Sequence, residues 1–159
     1  MSNYKPKLQD ISWIDKNAKI VFVTAEFNRE FTSWLEDKSQ KFLNDLWFKN
    51  ITKYLVPWAY EIPALLKLIV EKSKPELVIC FWVVIRWETT HYEMVAWESA
   101  RGIMNVTLKY PEIAIINWIL TCENEEQVKA RISEWYALSW INLLVEKKKF
   151  LLFRIWWYW

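Results

Sequence analysis

The sequence predicts an α/β fold in which helices cover both faces of a four-stranded parallel sheet. Four short apolar runs alternate along the chain with segments of helical periodicity, a pattern typical of parallel strands joined by crossover helices. The third run, residues 77–85, shows no alternation of apolar and polar side chains, as expected for a strand covered on both faces. No internal repeat or linker divides the 159 residues, which indicates one domain. Because parallel crossovers are right-handed, few arrangements remain, among them a flavodoxin-like three-layer α/β/α sandwich.

The elements are predicted in the following order. Residues 1–18 are polar and irregular, and we expect them to form an N-terminal arm. Apolar runs predict strands over 19–25, 53–56, 77–85 and 113–120. Helical periodicity, a proline near a helix start, or an acidic first turn predicts helices over 31–49, 63–72, 93–109, 123–131 and 139–152.

Composition and charge exclude several classes of protein. With 21 basic and 19 acidic residues, the net charge of +2 calls for neither a nucleic acid nor an acidic partner. Cys80 and Cys122 lie in apolar runs, and we expect buried free thiols in a reducing compartment rather than a disulfide. No stretch resembles a signal peptide or is apolar enough to span a bilayer, so we expect a cytoplasmic location.

Two residue counts are abnormal. Ordinary usage would give a chain of this length about 11 glycines, yet it contains 1, Gly102, together with 13 tryptophans. Glycine is normally required where φ is positive or where two backbones approach closely, so a nearly glycine-free α/β protein is physically unusual. The glycine deficit and the tryptophan excess are similar in size. This similarity suggests that tryptophan has replaced glycine, in an altered, recoded or misassigned sequence or in a heavily diverged homologue.

The turn after the third strand is the first candidate site. It contains Glu88, Thr89 and Thr90, followed by His91, the only histidine in the chain. Ligands of open α/β sheets collect at the carboxyl ends of strands, where a helix N-terminus can hold phosphate. An imidazole titrates near neutrality, so His91 could transfer protons. Alternatively, His91 simply begins a helix.

Three further candidates follow other predicted strands, and each has a structural alternative. Arg131 could bind a phosphate through its planar guanidinium, or it could be a solvated helix residue. Phe27 could stack on a flat heterocycle, or it could belong to the core. Glu61 could accept hydrogen bonds from a polyol, or it could cap its helix. No CxxC, HExxH or glycine-rich phosphate motif occurs, so we expect no metal site.

Together these strand ends resemble those of the 6,7-dimethyl-8-ribityllumazine synthase family. The matching pieces are AEFN at 25–28, VPWAYEIP at 56–63, VVIRWETTHY at 83–92, and residues 120–131, in the family's order and spacing. They cover about residues 19–131, whereas residues 132–159 form a divergent C-terminal part. The resemblance implies a cofactor-free transferase of riboflavin biosynthesis that assembles into pentamers, and in many members into an icosahedral capsid.

By this resemblance, the chain would condense 5-amino-6-(D-ribitylamino)uracil with 3,4-dihydroxy-2-butanone 4-phosphate. Phe27 would stack on the pyrimidine ring. The ribityl chain and the ring edge would be bound by two short segments, Ala59, Tyr60 and Glu61 after the second strand and Val83, Val84 and Ile85 in the third.

The resemblance also implies a phosphate subsite and a proton-transfer group. Glu88 and Thr89 would hold the phosphate, with Arg131 as its charge partner. His91 would move protons during imine formation, phosphate loss and ring closure. Asn117 stands where the family usually has an aromatic residue donated across a subunit boundary.

The chain departs from the family pattern mainly at glycines. Four tryptophans stand where the family has glycine, namely Trp58, Trp82, Trp87 and Trp118, and we expect the position of Trp140 to be a fifth. Trp97 replaces a residue that is usually small or polar. An indole at position 87 would crowd the phosphate turn, and a positive φ there would cost about 1 kcal/mol or more. The alternative function is therefore a catalytically impaired homologue that forms a capsid or binds ligands.

The C-terminus allows a third hypothesis. Three lysines at 147–149 precede an aromatic tail at 150–159, a composition that can lie in a membrane interface. The tail could instead pack on a neighbouring helix or subunit, which would protect an apolar patch that otherwise promotes aggregation.

Overall fold

The structure, a computed structural model, describes residues 7–86, 88–132 and 135–156. Its strands are β1 (Ile20–Ala25), β2 (Ile51–Val56), β3 (Leu77–Ile85) and β4 (Ala114–Cys122). Its helices are α1 (Arg29–Asp45), α2 (Ile62–Ser73), α3 (His91–Lys109), α4 (Glu125–Arg131) and α5 (Trp135–Trp156), with a 3₁₀ turn at Ala59–Glu61 before α2. Position 87 and the end of the aromatic tail, 157–159, lie outside the described residues, whereas residues 150–156 of the tail continue α5.

The four strands form one parallel sheet in the order β2-β1-β3-β4, which confirms the predicted fold class. Ile20 of β1 pairs with Ile51 on one side and with Leu77 on the other. The register places the carboxyl ends of all strands at the same edge of the sheet. Strand β2 begins two residues earlier than predicted and β4 ends two residues later, because both pair with their inner neighbours over their full length.

Helices cover both faces of the sheet, so the predicted three layers are present. One face packs against α1, α4 and α5, and its core contains Phe22 and Phe81, whose rings meet edge to face with centroids 5.1 Å apart. The other face packs against α2 and α3 and contains Val21, Val23 and Leu66. Burying each such side chain contributes about 1.5–3 kcal/mol, which makes these two cores the main source of stability.

A buried carboxylate holds α1 against the sheet. Glu36 is 1% exposed and accepts hydrogen bonds from the Thr24 hydroxyl of β1 and from the Arg29 guanidinium at 2.8 Å. The Lys53 ammonium of β2 lies 3.8 Å from the same carboxylate. A buried charge is tolerated only when it is paired and hydrogen-bonded, and Glu36 meets both conditions.

The only glycine, Gly102 on α3, lies where α3 contacts the start of α2. A Cβ atom at this position would lie 2.7 Å from Pro63 Cγ and 2.8 Å from Pro63 Cβ. Such distances are well inside van der Waals contact, so any side chain would push the two helices apart.

Residues 7–18 of the predicted arm lie against α5 without forming a helix or strand. The Gln9 amide donates to Asn142 Oδ1 at 3.0 Å, and Asn142 Nδ2 donates to the Lys7 carbonyl at 2.8 Å. Among the helices that the structure describes, none is both long and apolar enough to cross a membrane.

Both cysteines are free and buried, as predicted. Cys80 lies inside β3, where burial raises the pKa of its thiol to about 12. Cys122 ends β4, and burial raises the pKa of its thiol as well.

Several tryptophans occupy the interior. Trp118 and Trp140 meet edge to face at 4.5 Å on the α1/α5 side of the sheet. Trp82 is buried on the α2/α3 side, and its indole Nε1 has no hydrogen-bond partner among the described residues. In the described chain, positive φ occurs at Asn28, Trp47 and Lys74, so the buried tryptophans carry no such strain.

Among the tryptophans that the structure describes, Trp47 is the one in a backbone conformation that favours glycine. It follows the last turn of α1 with φ 71°, and its amide donates to the Asn44 carbonyl at 2.9 Å while the Phe48 amide donates to the Leu43 carbonyl at 3.0 Å. These two bonds define a Schellman motif, in which the residue at the Trp47 position is usually glycine. Trp47 is not among the positions at which the family resemblance implies a lost glycine.

We expect Trp47→Gly to increase the free energy of unfolding by about 1 kcal/mol, since the left-handed conformation costs a residue with a Cβ that much or more. Little packing is lost, because Trp47 is 70% exposed. Urea denaturation provides the measurement. The matched control is Trp34→Gly within α1, which should lower stability by about 1 kcal/mol because glycine is a poor helix former. An equal loss in both variants would show that Trp47 carries no strain.

Candidate active site

A cavity of about 400 Å³ opens at the carboxyl edge of the sheet. It lies where β1 and β3 are neighbours and the chain order of the strands reverses, the position at which open α/β sheets bind ligands. The residues lining it come from three loops, the end of β3 and the start of α3, namely Phe27, Trp58, Tyr60, Glu61, Trp82, Val84, Ile85, Thr89, His91, Tyr92 and Val95.

The loops after β1 and β2 form one wall. The Phe27 amide donates to the Pro57 carbonyl at 3.2 Å, which holds the two loops side by side. The Phe27 ring is stacked on the Trp58 indole, with centroids 4.6 Å apart and planes inclined by 28°. The Phe27 ring is half-buried yet faces the cavity, so its position is compatible both with a core role and with stacking on a ligand.

Asn28 anchors this wall to β3. Its φ of 57° turns the chain sharply into α1, a conformation that asparagine tolerates better than most residues. Its side-chain Nδ2 donates to the Val83 carbonyl at 2.8 Å.

Glu61 both caps its turn and lines the cavity. Its Oε2 accepts a hydrogen bond from the Trp58 amide at 2.9 Å, which caps the 3₁₀ turn, whereas the Glu61 side chain forms no capping hydrogen bond to α2. Its neighbour Tyr60 lines the cavity with its ring largely exposed. Ala59 is fully buried beneath them.

The turn after β3 supplies the polar end of the cavity. Thr89 and His91 are exposed and line it, and the His91 amide lies 3.4 Å from Thr89 Oγ1. His91 is the first residue of α3, so the exposed amides of a helix start lie beside its ring. An acceptor group entering here would meet amide and hydroxyl donors.

The remaining predicted residues do not line the cavity. Val83 is buried in the core, and Glu88 is exposed on the turn. Asn117 is exposed in the middle of edge strand β4. Arg131 ends α4 and donates to the Gln127 carbonyl at 3.0 Å. Its positive charge lowers the pKa of the Cys122 thiol at the end of β4, against the larger raising effect of burial.

Several residues of this edge are not among those predicted from the sequence. Tyr92 and Val95 line the cavity, and their spacing from His91 along α3 was a usable signal. Trp82 was considered only as a glycine replacement. Arg86 is bound to acidic residues from two other segments, and sequence spacing carries no sign of such contacts.

The arrangement suits a flat, mostly apolar ligand with a polar end. Aromatic and aliphatic side chains form most of the lining, whereas hydroxyl, carboxylate and imidazole groups lie at its rim. The described residues contain no group of three or more histidine, cysteine, aspartate or glutamate side chains that could hold a metal ion.

Comparison with known proteins identifies the relatives of this chain. Residues 17–148 match the 6,7-dimethyl-8-ribityllumazine synthase family, so the match continues past Arg131 through much of α5. A 6,7-dimethyl-8-ribityllumazine synthase of Neisseria gonorrhoeae is 40% identical, over 84% of this chain and 90% of its own length. That of Acidovorax sp. strain JS42 is 37% identical over 82% of this chain and 90% of its own length. That of Campylobacter hominis is 39% identical over 71% of this chain and 73% of its own length. This chain therefore belongs to the 6,7-dimethyl-8-ribityllumazine synthase family.

Proposed function

We propose that the protein condenses 5-amino-6-(D-ribitylamino)uracil with 3,4-dihydroxy-2-butanone 4-phosphate to form 6,7-dimethyl-8-ribityllumazine, a transferase step of riboflavin biosynthesis. The observation that carries this proposal is the cavity at the β1/β3 edge, in which Phe27 lies at one wall and His91 at the rim. Family membership indicates which reaction to expect, and the cavity is where we expect both substrates to bind.

The aromatic wall is suited to the uracil. Phe27 offers a ring face to the pyrimidine, and stacking of this kind contributes about 0.5–1.5 kcal/mol. The backbone of β3 at Val84 and Ile85 borders the cavity and can meet the ring edge. Tyr60 and Glu61 lie where a hydroxylated chain attached to the ring would extend.

The turn and the start of α3 are suited to the phosphate of the second substrate. Thr89 offers a hydroxyl, and the first amides of α3 point out of the helix. Arg131 lies on the same edge, and a guanidinium binds phosphate in a planar, bidentate geometry. Glu88 is exposed beside them.

We assign proton transfer to His91, which lines the cavity at the start of α3. Imine formation, phosphate loss and ring closure each require a proton to be moved, and an imidazole can donate and accept near neutral pH. Holding two substrates together supplies much of the remaining rate enhancement, since correct orientation replaces a bimolecular encounter.

We also propose that the protein is a cytoplasmic homo-oligomer, a pentamer that can assemble further into an icosahedral capsid. The support is a stripe of exposed apolar side chains along α3, formed by Met94, Trp97, Met104 and Leu108. Trp97 is 74% exposed, and single chains seldom leave such a stripe in water. Buried free thiols are typical of a reducing compartment.

Turnover of the two substrates tests the function directly. Wild-type protein should form a product with the absorbance of a lumazine, and His91→Gln should lower kcat by roughly 10²-fold or more because proton transfer is lost. Binding of both substrates without product would instead identify an impaired homologue. Full activity of His91→Gln would remove this residue from the chemistry.

Trp58→Gly should lower KM for the uracil substrate. The Trp58 indole covers one face of Phe27, and we expect the uracil to stack on this face by displacing the indole. Loss of a stacked pair costs about 0.5–1.5 kcal/mol, which corresponds to up to about tenfold in KM. Trp47→Gly, at the opposite end of α1, is the matched control and should leave KM unchanged. An increase in KM for Trp58→Gly would show that the indole belongs to the binding site.

Sedimentation velocity tests the assembly. The wild type should sediment as a pentamer or larger, and the double variant Met104→Glu/Leu108→Glu should shift it toward monomer, because charges would be buried at the contact. Lys41→Glu, an exposed change on α1, should leave the assembly intact. A monomeric wild type would contradict the proposal.

A further inference from the structure

Arg86 connects three segments of the carboxyl edge. It directly follows β3, and its amide donates to the Cys122 carbonyl at the end of β4, at 2.9 Å. Its guanidinium then reaches in two directions, to the first turn of α3 and to the loop after β4. Arg86 is not among the residues that line the cavity, so it lies outside the binding site described above.

Each of these contacts uses a different part of the side chain. Nη1 donates to Glu93 Oε1, and Nε lies 3.1 Å from Glu123 Oε1 and 2.9 Å from Glu123 Oε2. The guanidinium carbon lies 4.5 Å from the centre of the Tyr92 ring, within the range of a cation–π contact. The hydrogen bonds to Glu93 and Glu123 raise the pKa of Arg86, and the hydrogen bond from Arg86 lowers the pKa of Glu93.

These contacts need the shape of arginine as well as its charge. A lysine ammonium can pair with a carboxylate, but it lacks the planar fork that bonds to two carboxylates while stacking on a ring. An isolated exposed ion pair contributes little to stability, whereas several charges acting on one group can fix a geometry. The partners of Arg86 come from segments that are far apart in the chain.

We propose that Arg86 is a positioning residue that holds the first turn of α3 against the loop after β4. The held turn carries Tyr92, a wall of the cavity, and begins at His91. The loop after β4 leads through α4 to Arg131. Arg86 thereby sets the distance between the proton-transfer group and the guanidinium assigned to the phosphate. The expected effect of Arg86 on catalysis rests on the proposed function, whereas its expected effect on the structure does not.

Hydrogen exchange measures the structural consequence without any substrate. In Arg86→Met, the amides of 95–97, which donate to the carbonyls of the first turn of α3, should exchange faster than in the wild type, while the amides of β1 and β3 should be unchanged. Lys41→Met is the matched control, because it removes one exposed ion pair, with Asp45 at 2.7 Å, from the far end of α1. Unchanged exchange over 95–97 in Arg86→Met would overturn the proposal.

Steady-state kinetics measure the catalytic consequence. Arg86→Met should lower kcat by roughly tenfold to a hundredfold, since a displacement of about 1 Å has effects of that size. KM for the uracil substrate should change less than twofold, because the Phe27 wall does not depend on Arg86. Arg86→Lys should resemble Arg86→Met, and Glu123→Gln should cause a smaller loss that is not additive with it.

The outcomes separate the two proposals. If the wild type forms no lumazine, the proposed function fails, and hydrogen exchange still decides whether Arg86 holds the turn. If Arg86→Lys restores kcat, the charge alone matters and the positioning role is wrong. If Arg86→Met mainly raises the inhibition constant of inorganic phosphate, Arg86 binds the anion itself, which also overturns the proposal.

Discussion

The candidate site depends on the parallel pairing of β1 with both β2 and β3. This pairing brings three loops to one edge, since every strand of the sheet points the same way. The chain turns toward β2 on one side of β1 and toward β3 on the other, so the loops diverge and leave a cavity between them. The aromatic wall, the polar rim and the start of α3 are all consequences of this one arrangement.

The fold was predictable where a single physical pattern dominated. Strand β3 lies at the predicted residues because its apolar run is uninterrupted and both of its faces are covered. The predicted start of β2 is two residues too late, because β2 is an edge strand with partly exposed side chains and gives a weak apolar signal. Ile51 and Thr52 belong to the strand because they pair with β1, not because they are buried. Helix α5 is longer at both ends than its apolar periodicity indicated, since the local pattern does not define where packing ends.

The site was predictable to a similar extent. Candidates that follow β1, β2 and β3 converge on the cavity because carboxyl ends of parallel strands must meet. Asn117 and Arg131 do not line it, since β4 is separated from β1 by β3 and its residues lie to one side. The contacts of Arg86 depend on side-chain directions across three segments, and no spacing rule anticipates them. The glycine deficit was visible in the composition, but only backbone geometry distinguishes Trp47, which occupies a glycine conformation, from Trp118, which fills core volume.

The close approach of Gly102 to Pro63 has a mechanical consequence. Helix α2 follows the loop that carries Trp58 and Glu61, and α3 carries His91 and Tyr92, so the two helices support opposite walls of the cavity. At Gly102 the backbone of α3 packs directly on the Pro63 ring of α2, so a tilt of one helix would displace the other. We therefore expect access to the cavity to depend on side-chain rotation at its mouth, above all of the half-exposed Trp58 indole, rather than on hinge motion of the helices.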